Sequence, residues 1–175
     1  VKGFVTIIGV TLADGTPVST QKAIEYGWIT APVGRQPGGW GLERHEVPIG
    51  TNLIVDQGRQ CNAYAMGYRS PITDYVIARF GVGTGLTAAK ATDVALEAPI
   101  TLSTGLTKPV DLVDFPGPFM VRIIGTLSTS EANGYVISEM GAFTAAGTLI
   151  ARKVRSTTIN KTSDFAPTIA WRIRF

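Results

Sequence analysis

The sequence predicts a mostly β protein, an antiparallel β-sandwich of jelly-roll-like kind with few short helices. Three observations predict it. Thr, Val and Ile are frequent, which favours pleated, half-buried strands. Gly (20) and Pro (10) break the chain often, well above the roughly 12% of residues they supply in average proteins. Short apolar runs recur between these breaks, the spacing of strands in a sandwich or barrel.

The elements follow in order. Phe4 to Leu12 is a Val/Ile/Thr run ended by Asp14-Gly15-Thr16-Pro17, where Asp-Gly tolerates positive φ and Pro cannot continue a ladder. The N-terminal VKGFVTIIGV has no small-residue cleavage pattern and reads as a strand rather than a signal peptide. Ser19 to Trp28 is the helix of the first half. Residues 31–41 are a Gly/Pro loop carrying Trp40, either a contact anchor or a ring folded back over the core. Val47 to Val55 and Gln60 to Tyr68 read as strands or extended segments. Ile72 to Phe80 enters RFGVGTGL, with Gly81, Gly83 and Gly85 at every second position. Thr87 to Glu97 is expected to make a turn or two of helix, and residues 98–119 are extended and Pro-punctuated. Phe119 to Leu127 is a strand, Asn133-Gly134 a turn. Tyr135 to Met140, Thr148 to Val154 and Pro167 to Phe175 complete the set. A soft boundary near residues 69–75 divides an N-terminal extended or β region (1–75), expected to contact other subunits, from a C-terminal sandwich (76–175).

The composition narrows function. With 45% hydrophobic and 17% charged residues the chain is globular. Cys61 is the single cysteine, so no intrachain disulfide and no Cys-based zinc site forms; a buried inert thiol is expected. No apolar run approaches the ~20 residues of a membrane span. The net charge of +3 is uneven: residues 150–175 carry Arg152, Lys153, Arg155, Lys161, Arg172 and Arg174 against Asp164. Such an end could meet nucleic acid; the plainer reading is the solvent faces of strands, as Trp171, Ile173 and Phe175 alternate with Arg172 and Arg174.

The glycine stretch is neither a dinucleotide fingerprint, since Leu86 stands where a third spaced Gly belongs, nor a Walker loop, since no Gly-Lys-Ser/Thr follows. It reads as a bend between strand and loop. His45, the sole histidine, sits between Arg44 and Glu46 and reads as a solvated side chain. No G-x-S-x-G elbow is present. No catalytic set, metal site or cofactor is expected.

Two segments together carry a resemblance. FGVGTGLTAAKATDVALEAPI (80–100) resembles the GtGtTaPaatDTaLxxEv pattern of tailed-bacteriophage structural proteins. ISEMGAFTAAGTLIARKV (137–154) resembles the IxEiGLFdadGxLIA pattern of phage tail-collar and tail-fibre N-terminal domains. The closing KTSDFAPTIAWRIRF is similar to the end of many small virion proteins. Gly83, Thr84, Gly85, Asp93 and Leu96 match the first pattern; Ile137, Glu139, Gly141, Phe143, Gly147, Leu149, Ile150 and Ala151 match the second. Lys90 and Ala142 depart from it, Ala142 by removing a large apolar group. Residues 1–75 carry no such resemblance.

The resemblance implies a non-enzymatic particle component located in the virion and assembled in the host cytoplasm. It would be a homo-oligomer, commonly a trimer, docked to other virion proteins of tail, neck or capsid. Capsid decoration, or a receptor- or glycan-binding fibre module, are the alternatives. Trp28, Trp40, Phe115 and Phe119, near Gly/Pro segments, are the candidate interface. Gly81, Gly83, Gly85, Asp93, Leu96, Glu139, Gly141, Phe143 and Gly147 are the structural motif. For Glu139 two readings stand: a buried carboxylate accepting backbone N–H groups of the Gly81–Gly85 loop, or a solvent-facing strand residue.

Overall fold

The computed structural model describes residues 2–29, 47–67, 71–117 and 120–174. Trp40, His45 and Phe119 lie outside the described residues. The fold is mostly β, with two antiparallel sheets and few short helices. In chain order the elements are β1 (Lys2–Leu12), β2 (Pro17–Val18), α1 (Thr20–Glu25), β3 (Val47–Ile54), α2 (Asp56–Met66), a 3₁₀ turn (Ile72–Asp74), β4 (Ile77–Gly83), β5 (Lys108–Pro109), β6 (Leu112–Gly117), β7 (Met120–Thr126), β8 (Val136–Thr144), β9 (Leu149–Asn160) and β10 (Phe165–Arg174).

The hydrogen-bonded path runs β5-β4-β8-β9-β3-β1-β10-β7-β6. β3 belongs to both sheets: it pairs with β1 along its length and with β9 only at Leu53 and Ile54. The inner faces meet where the Phe80 ring of β4 lies on Gly125 of β7, so closely that a Cβ there would overlap the ring. Phe80, Met140 and Ala142 on one side and Ile123, Ile169 and Trp171 on the other line a residual void of about 10 Å³, room for about one water at most. Ala142, the departure from the collar pattern, is fully buried beside it. β1 lies between β3 and β10 and pairs with β10 from Lys2↔Arg174 to Leu12↔Phe165.

Local chemistry explains most elements. Ser19 caps α1, its Oγ accepting the Lys22 N–H at 3.2 Å. Asp14 Oδ1 accepts the Thr16 N–H at 2.9 Å, and Gly15 takes φ +86° in the turn. Gly134 takes φ +82° in the turn before β8.

Four expectations are corrected. Residues 60–68 were expected to be extended, but α2 spans 56–66: Gln, Arg, Ala and Met are good helix formers, and Gly58 and Cys61 share the buried face. A Cβ on Gly58 would overlap the Ile150 carbonyl, so this glycine lets the helix backbone touch β9. Residues 87–97 form turns rather than helix, because Asp93 accepts the Lys90 N–H at 2.9 Å and turns the chain locally. The glycine stretch is not a bend at Gly81 and Gly83: β4 runs through both, and both are buried. Finally, the basic end is not uniformly a solvent face, because Arg152, Arg155 and Lys161 are buried.

Candidate functional site

The alternation of glycines has a geometric cause. Period-two spacing puts Gly81, Gly83 and Gly85 toward one face of the extended chain. Residues 84–106 lie against that face, held by Thr84 N–H to Ala98 O (2.9 Å) and Ile100 N–H to Val82 O (2.9 Å). A Cβ on Gly81 would stand 2.8 Å from Leu106 O. On Gly83 it would stand 2.5 Å from both Ala98 O and Glu139 Oε1, and on Gly85 2.6 Å from Glu139 Oε1. The glycines clear a slot for backbone and for one carboxylate.

That carboxylate is Glu139, in the middle of β8 and fully buried. Its Oε1 accepts the N–H groups of Gly85 (3.2 Å) and Ala98 (2.7 Å), and its Oε2 accepts that of Glu97 (3.1 Å). Arg152 of β9 donates to the same Oε2 from Nε at 2.9 Å, and its Nη2 stands 2.8 Å from that oxygen in the ion pair. The bond from Gly85 is the one expected of Glu139 in the glycine loop; the solvent-facing alternative is overturned by its burial. Ser138 adds a hydroxyl bond to Gly85 O at 3.0 Å.

Arg152 gathers two further carboxylates, Asp93 at 2.8 Å and Glu97 at 3.4 Å. Burial alone disfavours the cation, but Asp93 and Glu139 outweigh it and raise the guanidinium pKa. Burial opposes the Asp93 charge, yet the Lys90 N–H and Arg152 together outweigh it and hold its pKa below the usual range. Glu97 is lowered mainly by the Thr87 hydroxyl and backbone N–H. A surface recess of about 150 Å³, lined by Thr87, Lys90, Asp93, Ala95, Glu97 and Arg152, opens beside this cluster. Leu96, Phe143, Leu149 and Val55 form a small buried apolar cluster of their own. Gly141 makes room there, since a Cβ would stand 2.7 Å from the Phe143 ring and 2.9 Å from Leu96. Gly147 takes φ +88° in the turn from β8 to β9.

Gly83, Gly85, Asp93 and Glu139 thus meet in one tie between residues 81–100 and the β8–β9 hairpin. Leu96, Gly141 and Phe143 pack together, Gly81 abuts the Leu106 carbonyl, and Gly147 lies apart in the hairpin turn. The chemistry of the tie is that of a clamp. The carboxylates converge on a guanidinium and on backbone amides, and among the described residues no group of His, Cys, Asp and Glu is arranged to hold a metal. Arg152 was missed as its partner. The turn at Gly147 pairs Phe143 with Leu149, but a bulge between Ala142 and Phe143 shifts the register so that residue 141 faces 152 and 139 faces 154. Glu139 and Arg152 become diagonal neighbours only through that bulge, which the sequence does not signal.

Of the four candidate interface residues, Trp28 and Phe115 lie among the described residues. Trp28 is half-buried and stacks on Phe165, rings 4.8 Å apart at 12°. Phe115 is 74% exposed on β6, the edge strand, near exposed Leu112 and Val113.

A second polar cluster lies at the turn before β8. Glu131, nearly fully buried, accepts from Lys108 Nζ (2.7 Å), Ser103 Oγ (2.5 Å) and Ser128 N–H (2.8 Å). Burial opposes its ionisation, but Lys108 and Ser103 prevail and bring its pKa down to about 2. Lys161 is fully buried and donates to Thr162 O (2.6 Å), Asn133 Oδ1 (2.8 Å) and Thr129 O (3.4 Å). Burial lowers its pKa to about 8, against the pull of Glu131 and Asp164. Sequence reasoning did not single out Glu131 and counted Lys161 only in the basic C-terminal end.

Comparison with known proteins finds no matching family model, no matching curated protein and no matching solved structure.

Proposed function

We propose that the chain is a structural component of a tailed-phage virion, a tail, collar or neck appendage protein that acts by symmetric assembly and by docking to neighbouring virion proteins. One observation carries the reading. The two segments that resemble phage structural proteins, 80–100 and 137–154, converge on a single buried tie: Glu139 and Arg152 from one, the Gly85, Glu97 and Ala98 amides and Asp93 from the other. Such an arrangement fixes a long excursion of chain to a sheet. It holds shape and activates no nucleophile, so the protein is read as non-enzymatic, without a cofactor, and located in the virion.

The β6 edge supports assembly. An edge strand with exposed Leu112, Val113 and Phe115 is a pairing liability when left open, and burial against sister subunits removes it. A homotrimer is the expected state, and a jelly-roll-like sandwich is the finer fold that goes with this reading. Capsid decoration uses the same chemistry at another place on the particle. A glycan-binding fibre module would need open aromatic platforms, and one face of Trp28 is taken by Phe165.

Light scattering on the purified chain, with immunolabelling of intact particles by electron microscopy, tests the proposal. A trimer that labels tail or neck supports it, and label over the head surface selects decoration. A monomer that labels no particle and turns over a small molecule refutes it. A shift of Trp fluorescence with host glycans would favour the receptor-binding reading instead.

A further inference from the structure

Asn133-Gly134 is the sole Asn-Gly pair in the chain, and it lies against the buried ammonium of Lys161. Three hydrogen bonds fix it. Gly134 N–H donates to Lys161 O at 2.9 Å. Asn133 Oδ1 accepts from Lys161 Nζ at 2.8 Å, and Asn133 Nδ2 donates to Thr129 O at 2.8 Å. Lys161 N–H returns a bond to Tyr135 O at 3.0 Å, so the turn and the β9–β10 connection are laced from both sides. The ammonium also lies 5.5 Å from the centre of the Phe165 ring.

We propose that Asn133 is a latent deamidation site that this lacing keeps closed, with Lys161 as its guard. In the reaction the Gly134 backbone nitrogen loses its proton to solvent base and attacks Asn133 Cγ. A C–N bond forms, the Cγ–Nδ2 bond breaks and ammonia leaves. Water then opens the cyclic imide to aspartate or isoaspartate, and no other reactant is needed. Glycine at the following position removes the steric barrier that any side chain would set to this closure. In the folded chain the nucleophile's proton is committed to Lys161 O, and the amide is held at both ends. The ammonium on Oδ1 would by itself draw electrons from Cγ, so the protection is geometric: the turn must open before the nitrogen can reach the carbon. Opening of this turn is thereby written into the chain as a covalent mark. The isoaspartate product, with one more backbone carbon, cannot restore the Gly134–Lys161 register.

Peptide mapping with enzymatic isoaspartate labelling, on full-length protein held at mildly alkaline pH, tests this. Deamidation at Asn133 should be at least about tenfold slower in the native protein than in the same chain in urea, since local opening limits it. Lys161→Met that retains the wild-type circular dichroism should move the native rate toward the urea rate. Equal rates in native and unfolded wild type would overturn the proposal without any variant, and so would a folded Lys161→Met protein that deamidates as slowly as wild type.

Discussion

Removing the Glu139 carboxylate is the most direct test of the tie. Glu139→Ala deletes the acceptor of three backbone N–H groups and of the Arg152 Nε–H, and the counter-charge of its guanidinium. Breaking one side of a buried ion pair costs about 3–5 kcal/mol because a charge is left uncompensated. Here Asp93 and Glu97 still hold Arg152, so the charge term falls at the lower end. The amides add to it: Gly85 N–H is buried, and a buried donor without an acceptor costs about 1–3 kcal/mol. The Glu97 and Ala98 amides are part-buried and recover some of their loss from water. The expected total is about 4–6 kcal/mol, a fall in Tm of about 8–24 °C for a chain of this size. Urea unfolding should show a lower midpoint at unchanged slope. Glu139→Gln keeps the shape but turns a donor toward Arg152 or an amide, and should lose an intermediate amount. Combined with Arg152→Met, the loss should be smaller than the two single losses together, as for groups in one network. A Glu139→Ala protein within about 0.5 kcal/mol of wild type, the range of ordinary surface changes, would refute the reasoning.

Three further outcomes follow. Gly83→Ala places a Cβ 2.5 Å from Ala98 O and Glu139 Oε1 and should cost about 1–3 kcal/mol by overpacking, read as a lower urea midpoint. Glu131 has its folded pKa lowered to about 2 from 4.5, so its contribution is full above the unfolded value and is lost as pH falls through the folded one. Between those two values Tm should fall more steeply in wild type than in Glu131→Gln, and parallel curves would remove Glu131 from the acid transition. Phe115→Asp, at an exposed edge position, should leave monomer stability within about 0.5 kcal/mol and lower the oligomer mass seen by light scattering; an unchanged mass would take Phe115 out of the interface.

Much of the β framework was legible. β3, β7, β8, β9 and β10 begin within about two residues of where alternation and turn residues place them, an ordinary margin for element ends. The turns at Asp14-Gly15 and Asn133-Gly134 were readable because few residues other than glycine accept the positive φ they need. α2 was misread because Cys61, Tyr64 and Tyr68 suit a pleated surface as well as a helix, and only contact with β9 through Gly58 decides between them. Residues 87–97 have helix-forming composition, but Asp93 and Glu97 are drawn to Arg152 from far along the chain, and tertiary contact outweighs propensity.

By itself the sequence determined the class of the fold and the turns at Gly15 and Gly134, since period and turn chemistry are local properties of the chain; Gly81, Gly83 and Gly85 it offered only as a bend. Only the tertiary structure decided what those glycines are for. The same letters serve a free bend or a crowded slot, and the difference is the Glu139 carboxylate arriving from 54 residues away. It likewise decided that Arg152, Arg155 and Lys161 are interior cations. Whether a charge is solvated or enclosed depends on which strands close over it, and no local pattern encodes that.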